Sequence, residues 1–210
     1  MSDTLTLPAP AAEADSAKRR QIIEGARAVF LAQGFDAASM NDIARKAGVS
    51  KGTLYVYFKS KDELFEAIAE EQCHMQAEGV FRLDNADRDV AAVLMRLGSA
   101  FTQFMCNRSP SPIRIVIAIA DRMPEIGRQW YENGPAVGIA KLSRYLRAQT
   151  EAGVLDVADC DIAAGQFLES CLSGTFKPVL FNFAPPPPQE RIDYVVGIAV
   201  RTFMKAYGKS

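Results

Sequence analysis

The chain is short of the residues that build disulfides and membrane spans. Its 210 residues include only four cysteines, and no two of them form a C-x-x-C pair. These cysteines are Cys73, Cys106, Cys160 and Cys171. Because there is also no signal peptide, a disulfide-stabilised secreted protein is not expected, and the predicted setting is a reducing cytoplasm. No apolar run is long enough to span a bilayer, so no membrane partner is expected.

Groupings typical of catalysis, cofactor binding or metal binding are also missing. No Ser-His-Asp set, carboxylate pair or phosphate-binding loop stands out, so we expect neither an enzyme nor a cofactor. The single histidine, His74, adjoins Cys73. Neighbouring side chains on a helix point about 100° apart, however, and no partner lies at ligand spacing. A metal site is therefore not expected, and an enzyme built on a helical bundle is the least favoured class.

Positive charge is concentrated in one part of a chain whose formal net charge is only −1. Residues 18–61 contain nine basic and three acidic side chains, a net charge of +6. The rest is acidic, with −3 over residues 1–17 and −4 over residues 62–210. A basic segment on a mildly acidic body is expected when only one domain contacts phosphate.

Helical periodicity recurs along the chain without a convincing strand pattern, which predicts an all-α fold. The length allows one large core or two modest ones. Residues 1–15 are rich in Ala, Pro and acidic side chains and lack periodicity, so they are predicted to be a disordered tail. A three-helix domain is predicted over residues 16–62 and a larger helical domain over residues 63–210.

The most informative segment, residues 39–64, reads SMNDIARKAGVSKGTLYVYFKSKDEL. Ser39 and Asp42 form a capping box that predicts a helix beginning at Met40. Gly48 can adopt the left-handed conformation that ends this helix, and Ser50 can cap a second helix over residues 51–58. Two short helices joined by such a turn predict a helix-turn-helix unit.

The second helix of this unit has a composition suited to a DNA groove. Leu54 and Phe58 can bury on one side, which leaves small and hydroxyl-bearing side chains outside. Such side chains can contact base edges, thymine methyl groups or phosphates. The outward and flanking positions are Gly52, Thr53, Val56, Tyr55 and Tyr57. An ordinary helical hairpin with a polar face is the alternative interpretation.

A further helix is predicted before this unit, from a cap at Ser16 to about Ala32. Its core face comprises Ile22, Ile23, Ala26, Val29 and Phe30. Lys18, Arg19 and Arg20 would lie in its first turn, where positive charge opposes the helix dipole. Phosphate contact would compensate for that conflict. A solvated basic helix end is the alternative.

The stretch AGVSKGTLYVYFKSKDEL resembles the DNA-binding signature of the TetR family of bacterial repressors, which typically reads AGVSxGTLYxxFxxKxxL. The likeness extends back over RQIIEGARAVFLAQGF and covers about a quarter of the chain. It implies an all-helical homodimer with an amino-terminal domain for double-stranded operator DNA and a carboxy-terminal domain for a ligand. The positions assigned to DNA binding are Ser39, Met40, Ser50, Lys51, Gly52, Thr53, Tyr55, Val56, Tyr57, Lys61, Lys18 and Arg19.

A second stretch, RIVIAIADRMPEIGRQWYENGPAVGIAKLSRYLRAQTEAGVL, resembles the carboxy-terminal domains of AcrR/AefR-like regulators. The resemblance implies a pocket for a small apolar or aromatic effector. Aromatic and methionine side chains supply adaptable apolar walls, although the same residues can equally be plain core. The predicted lining is Phe101, Phe104, Met105, Ile119, Met123, Trp130, Tyr131 and Phe167.

A kink or short break is predicted near Asn133-Gly134-Pro135, inside an earlier helical segment. The last two predicted helices cover residues 161–183 and 189–207. The final helix carries an apolar stripe wider than one neighbour requires. The resemblance implies that these two helices form the four-helix bundle of a dimer. The predicted interface residues are Cys171, Val195, Val196, Ala199, Val200 and Phe203. Alternatively, both stripes only close the core of the monomer.

Together these patterns predict a repressor that binds a palindromic operator as a dimer. A small apolar ligand would release it by stabilising a state with poorly spaced recognition helices. The alternative is a helical ligand-binding or adaptor protein that has lost operator binding. A DNA interaction that is absent, or insensitive to salt, would favour that alternative.

Overall fold

The computed structural model describes residues 10–106 and 113–209, and for residues 10–14, 70, 72–78 and 115 it describes the backbone alone. This part of the chain forms eleven helices and no sheet, which confirms the all-α prediction. The helices are α1 (Pro10–Ala37), α2 (Met40–Ala47), α3 (Lys51–Tyr57), α4 (Lys61–Gly79), α5 (Val90–Cys106), α6 (Ile113–Ile119), α7 (Pro124–Asn133), α8 (Pro135–Glu151), α9 (Cys160–Cys171), α10 (Phe176–Leu180) and α11 (Gln189–Tyr207).

The caps of the helix-turn-helix unit, α2 and α3, are those that the sequence predicts. The Ser39 hydroxyl accepts a hydrogen bond from the Asp42 backbone N–H at 3.1 Å. Gly48 ends α2 in the left-handed conformation, with φ of 65°. The Ser50 hydroxyl accepts from the Thr53 backbone N–H at 3.0 Å. Side-chain caps of this kind satisfy the backbone N–H groups that the first turn leaves free.

The first helix begins earlier than the sequence suggests, at Pro10 instead of Ser16. Proline is tolerated in the first turn, and the alanines that follow are strong helix formers. Residues 10–15, assigned to a disordered tail, are therefore helical, and residues 1–9 lie outside the described residues. Lys18, Arg19 and Arg20 then lie more than two turns inside α1. The expected conflict with the helix dipole is absent, because that effect is confined to the end turns.

The carboxy-terminal helices differ from prediction at one place. The break near Asn133 is confirmed, since α7 ends there and α8 begins at Pro135. The single helix predicted over residues 161–183 is wrong, because α9 ends at Cys171 and α10 is a separate short helix. Gly174 lies between them with φ of 66°. The apolar pattern continues across the gap because both helices face the same core.

Two clusters of buried side chains organise the fold. We call residues 10–68 the head, whose core is shared by α1, α2, α3 and the first turns of α4. We call residues 80–106 and 134–209 the body, whose core is shared by α5, α8, α9, α10 and α11. The boundary predicted after residue 62 falls inside α4, where Leu64, Phe65 and Ile68 still belong to the head core. Between head and body, α6 and α7 contribute Val116 and Ile126 to the head core.

Candidate DNA-binding surface and ligand cavity

The outer face of α3 is exposed and chemically mixed. Val56 is 82% exposed and Tyr55 is 44% exposed, and Lys51 and Gly52 also face solvent. Leu54 is fully buried beneath them and anchors α3 to the head core. A short helix with mediocre propensity is thus held by packing on its inner side while its outer side stays free for a groove.

Two polar side chains of α3 are already engaged. The Thr53 hydroxyl lies 2.7 Å from the Ser50 hydroxyl, so both belong to the cap as well as to the candidate surface. The Tyr57 hydroxyl donates to the Asp15 carboxylate at 2.6 Å. This hydrogen bond raises the pKa of Tyr57 above its usual value, because ionisation would remove the proton that the Asp15 carboxylate accepts. Tyr57 therefore acts as a hydrogen-bond donor.

Basic side chains of α1 lie beside this unit. The Arg19 guanidinium stands over the Phe58 ring, 5.2 Å from its centroid, at the carboxyl end of α3. The Lys18 ammonium donates to Gln21 at 2.9 Å, and the Gln21 amide donates to the Ala47 carbonyl at 2.6 Å. The fold thus brings the predicted basic residues of α1 next to the helix-turn-helix unit.

Lys61 has a structural contact that sequence reasoning missed. Its ammonium donates to the Phe35 carbonyl at 2.8 Å and to the Asp36 carbonyl at 3.1 Å. It also lies 4.9 Å from the centroid of the Phe35 ring. Phe35 and Asp36 follow a kink in α1 at Gly34, whose backbone is non-helical with φ of 79°, and Lys61 supplies partners for carbonyls of the turn beyond this kink. Of its three N–H donors, one remains for a phosphate.

The start of α2 is the least accessible part of the predicted surface. Met40 packs against the head core and is partly buried. The Ser39 hydroxyl also donates to the Asp42 carboxylate, at 2.5 Å. This hydrogen bond, supported by the Arg45 guanidinium, holds the pKa of Asp42 below its usual value. The hydroxyl of Ser39 is therefore engaged in capping α2.

A cavity of about 400 Å³ lies in the body where α6 and α7 meet it, and its wall is mostly apolar and aromatic. Four of the eight predicted residues line it: Phe101, Phe104, Met105 and Trp130. The lining residues that sequence reasoning missed are Phe81, Ile113, Pro135, Gly138, Ile139, Gly165, Leu168, Glu169, Leu172, Phe176, Lys177, Leu180 and Phe181. Several of these lie on α10 and just after it, in the segment that was predicted to continue the preceding helix.

The other four predicted pocket residues lie elsewhere. Ile119 belongs to the head core, and Met123 packs against it. Phe167 packs edge-on against Phe203 in the body core, with ring centroids 5.7 Å apart. Tyr131 is 56% exposed, because one residue along a helix turns the side chain about 100° away from the Trp130 direction. The residue types of these four suggested an apolar setting, but residue type alone does not show whether a side chain lines the cavity or packs elsewhere.

The six residues predicted for the dimer interface are buried inside the single chain. The close approach of α11 to α5 explains this, since an added Cβ at Gly98 would lie 2.6 Å from Val196 Cγ1. Their position in the single chain agrees with the alternative interpretation, in which both stripes close the monomer core. On the outer faces of α9 and α11, three large side chains are exposed instead: Ile162, Tyr194 and Ile198.

Metal ligands, thiols and membrane-spanning length can be assessed for the described residues only. No group of three His, Cys, Asp or Glu side chains that could hold a metal occurs among the described side chains, which do not include Cys73 and His74. Burial raises the pKa of the Cys171 thiol to about 12 and also raises that of Cys106. Within residues 10–106 and 113–209, no helix combines the length and apolarity needed to cross a membrane.

A helix-turn-helix unit with an exposed second helix, joined to a helical body that encloses an apolar cavity, defines a DNA-binding transcriptional regulator. Family models agree at both ends. Residues 22–68 match that of the bacterial regulatory proteins of the tetR family, and residues 92–209 match that of the AefR-like transcriptional repressor carboxy-terminal domain. The chain belongs to the TetR family of transcriptional regulators and is not an enzyme.

Individual proteins support this assignment over most of the chain. A protein from Mesorhizobium loti, provisionally assigned to the TetR family, is 28% identical with a TM-score of 0.82, over 92% of this chain and 98% of that one. The flavonoid-responsive regulator FrrA is 29% identical with a TM-score of 0.76, over the same shares. The transcriptional repressor Rv1474c of Mycobacterium tuberculosis is 29% identical over 70% of this chain and 74% of its own.

Proposed function

We propose that this regulator is a dimeric repressor that binds a palindromic operator and is released by a small aromatic effector. One observation carries the proposal: Trp130 lines the cavity and also packs against the head core. An effector in the cavity would therefore contact a side chain that supports the DNA-binding domain. Differential affinity of the effector for two arrangements of this junction would shift the DNA-binding equilibrium.

The junction helix α6 supplies a second connection between cavity and head. Ile113, at its first turn, lines the cavity. Val116 and Ile119, further along the same helix, are buried in the head core. Just beyond it, Arg122 forms an ion pair with Asp36 at the end of α1, at 2.7 Å. A displacement of α6 by an effector would thus move groups that touch α1.

The cavity wall supports an aromatic effector with polar substituents. Phe81, Phe101 and Trp130 offer ring faces and edges that favour stacking with another ring. Glu169 and Lys177 are the charged side chains of the lining, and their charges cancel. A neutral molecule with phenolic hydroxyl groups could donate to the carboxylate and accept from the ammonium. The similarity to FrrA, described as flavonoid-responsive, agrees with this class of ligand.

The exposed faces of α9 and α11 support the dimer. Ile162 is 59% exposed, Tyr194 60% and Ile198 41%, and all three lie on the two helices that the family resemblance implies for dimerisation. Covering large apolar side chains drives association of subunits. A dimer would hold two copies of α3, as a palindromic operator requires.

The cavity can be tested directly because Trp130 is the single tryptophan of the chain. We expect flavonoids to quench its fluorescence and to displace a labelled operator, selected from a random duplex pool, in an anisotropy titration. Gly165→Leu should abolish both responses while operator binding is retained. The Cβ at this position would meet only Ile139 Cδ1 at 4.0 Å, so the added side chain can enter the cavity without a clash.

Gly165→Ala is the matched control, because it adds one methyl group and should keep both responses. Quenching in wild type without displacement would contradict effector release, and quenching unchanged in Gly165→Leu would contradict the cavity as the site. A folded chain that binds no DNA would favour a ligand-binding or adaptor protein instead.

A further inference from the structure

The contact between Asp15 and Tyr57 joins two parts of the chain with opposite charge. Asp15 belongs to the acidic first 17 residues, and Tyr57 lies on α3 within the basic segment. The Tyr57 hydroxyl donates to Asp15 Oδ1 at 2.6 Å, across 42 residues of sequence. The contact exists because α1 extends to Pro10 and so places Asp15 beside α3.

We propose that Asp15 lowers the affinity of the regulator for duplex DNA by holding its carboxylate where a DNA phosphate would otherwise accept from Tyr57. The proposal rests on the use of α3 as the DNA-reading helix. Tyrosine hydroxyls commonly donate to phosphate oxygens at such surfaces. A phenol has only one proton to donate, so Asp15 and a phosphate compete for it.

Electrostatics acts in the same direction as this competition. Asp15 is exposed and carries a negative charge beside a segment of net charge +6. A phosphate that reached Tyr57 would stand within a few ångströms of that carboxylate, well inside the screening length of physiological salt. Binding therefore either breaks the Asp15–Tyr57 hydrogen bond or leaves two anions close together. Both alternatives weaken the complex.

The consequence concerns selectivity. Contacts to phosphate carry no sequence information, so a penalty on one of them weakens binding to every duplex. Base-edge contacts from the outer face of α3 can offset the penalty only at the correct sequence. Asp15 would thus reduce the time that the regulator spends on random DNA, and the operator would be distinguished by contacts that random DNA cannot supply.

The test uses the full chain and a fluorescein-labelled random-sequence duplex in anisotropy titrations at low and physiological salt. Asp15→Asn removes the charge, and Asp15→Ala also removes every hydrogen-bonding group. We expect both variants to bind about three- to tenfold more tightly at low salt, with a smaller gain at physiological salt. Glu13→Gln, which removes the same charge from the same helix, should change the affinity by less than about twofold.

A second arm tests the shared proton. Tyr57→Phe removes it, so this substitution should weaken binding more in the Asp15→Ala background than in the wild-type chain. Unchanged or weaker binding by both Asp15 variants would overturn the proposal, as would an equal gain from Glu13→Gln. These results would leave DNA binding itself intact. Failure of the folded wild-type chain to bind any duplex would instead refute its DNA-binding function.

Discussion

The head and the body of this regulator differ in how far apart in the sequence the contacting residues lie. In the head, the hydroxyls of Ser39 and Ser50 each cap a helix through a residue three positions away. In the body, the cavity wall combines residues that are distant in the sequence, such as Phe81 and Phe181. The caps of the helix-turn-helix unit therefore follow from local chemistry, whereas the cavity, like the placement of Lys61 and Tyr57 beside α1, depends on how whole helices pack.

Trp130 and α6 lie where these two kinds of structure meet. They contribute to the cavity wall and to the head core at once, so neither part is independent of the other. These shared groups join the two parts, and so does α4, which runs from the head core to just before Phe81 of the cavity wall. The comparison teaches that local sequence sets the caps of the proposed DNA-binding surface, while the packing between helices shapes the cavity and its connection to the head.

The largest expected effect tests how rigid the head packing is. Gly25→Ala would place a Cβ 2.6 Å from Ala47 Cβ and 2.8 Å from its Cα, so backbone atoms would have to move. We expect a loss of about 3 kcal/mol or more in the free energy of unfolding, and loss of DNA binding with it. Urea denaturation followed by circular dichroism measures the first.

Gly98→Ala is the body counterpart of this substitution. Its Cβ would meet side-chain atoms, Val196 Cγ1 at 2.6 Å and Cys171 Sγ at 2.9 Å, which can shift more easily than backbone. We expect a smaller loss of about 1–2 kcal/mol in the same measurement. A larger loss for Gly98→Ala would contradict the view that the backbone of Ala47 yields less readily than the side chains of Val196 and Cys171.

The next prediction separates the two faces of α11. Ile198→Asp lies on the outer face, so we expect a folded monomer that elutes later in size-exclusion chromatography and binds the operator poorly. Its single-chain stability should change by less than about 0.5 kcal/mol. Val196→Asp, which buries an unpaired charge on the inner face, should prevent folding. A wild-type chain that is already monomeric would refute the proposed dimer.

Within the head, two substitutions separate a residue that also stabilises the fold, Lys61, from one that only lies on the exposed surface, Tyr55. Lys61→Ala removes two hydrogen bonds to the end of α1, and we expect it to cost about 1–2 kcal/mol of folding free energy as well as operator affinity. Tyr55→Ala removes only an exposed side chain, so operator affinity should fall about tenfold with the stability unchanged. Equal stability of the two variants would contradict the structural role of Lys61.

The smallest expected effect concerns the ion pair that joins α1 to the junction. The Arg122 guanidinium lowers the pKa of Asp36 below its ordinary value of 3.8. The folded state thus favours the ionised carboxylate, so its contribution to stability is present above the unfolded pKa and is lost as pH falls through the folded one. Asp36→Asn should therefore be slightly less stable than wild type at pH 7 and equally stable in strong acid. Thermal melts at both pH values test this.

The sequence predicted correctly those features that depend on neighbouring residues, and it was less successful where packing or a longer stretch of chain decides the structure. Ser39, Gly48 and Ser50 predicted the helix-turn-helix correctly, and the Asn133 break was also recognised, since each depends on neighbouring residues. The start of α1 was placed too late, because Ser16 is a good cap only if nothing upstream is helical. The division between α9 and α10 was missed because the apolar pattern crosses it unbroken.

The amino-acid sequence by itself determined the helical class, the caps of the DNA-reading unit and the concentration of positive charge around it. Only the tertiary structure decided which apolar residues line the cavity and which close the core. Val196 and Trp130 are both large apolar side chains on helices, yet Val196 packs closely against α5 and Trp130 borders the cavity. The physical reason is that a cap needs a partner a few residues away, while burial is non-directional and leaves the partner to be chosen by packing.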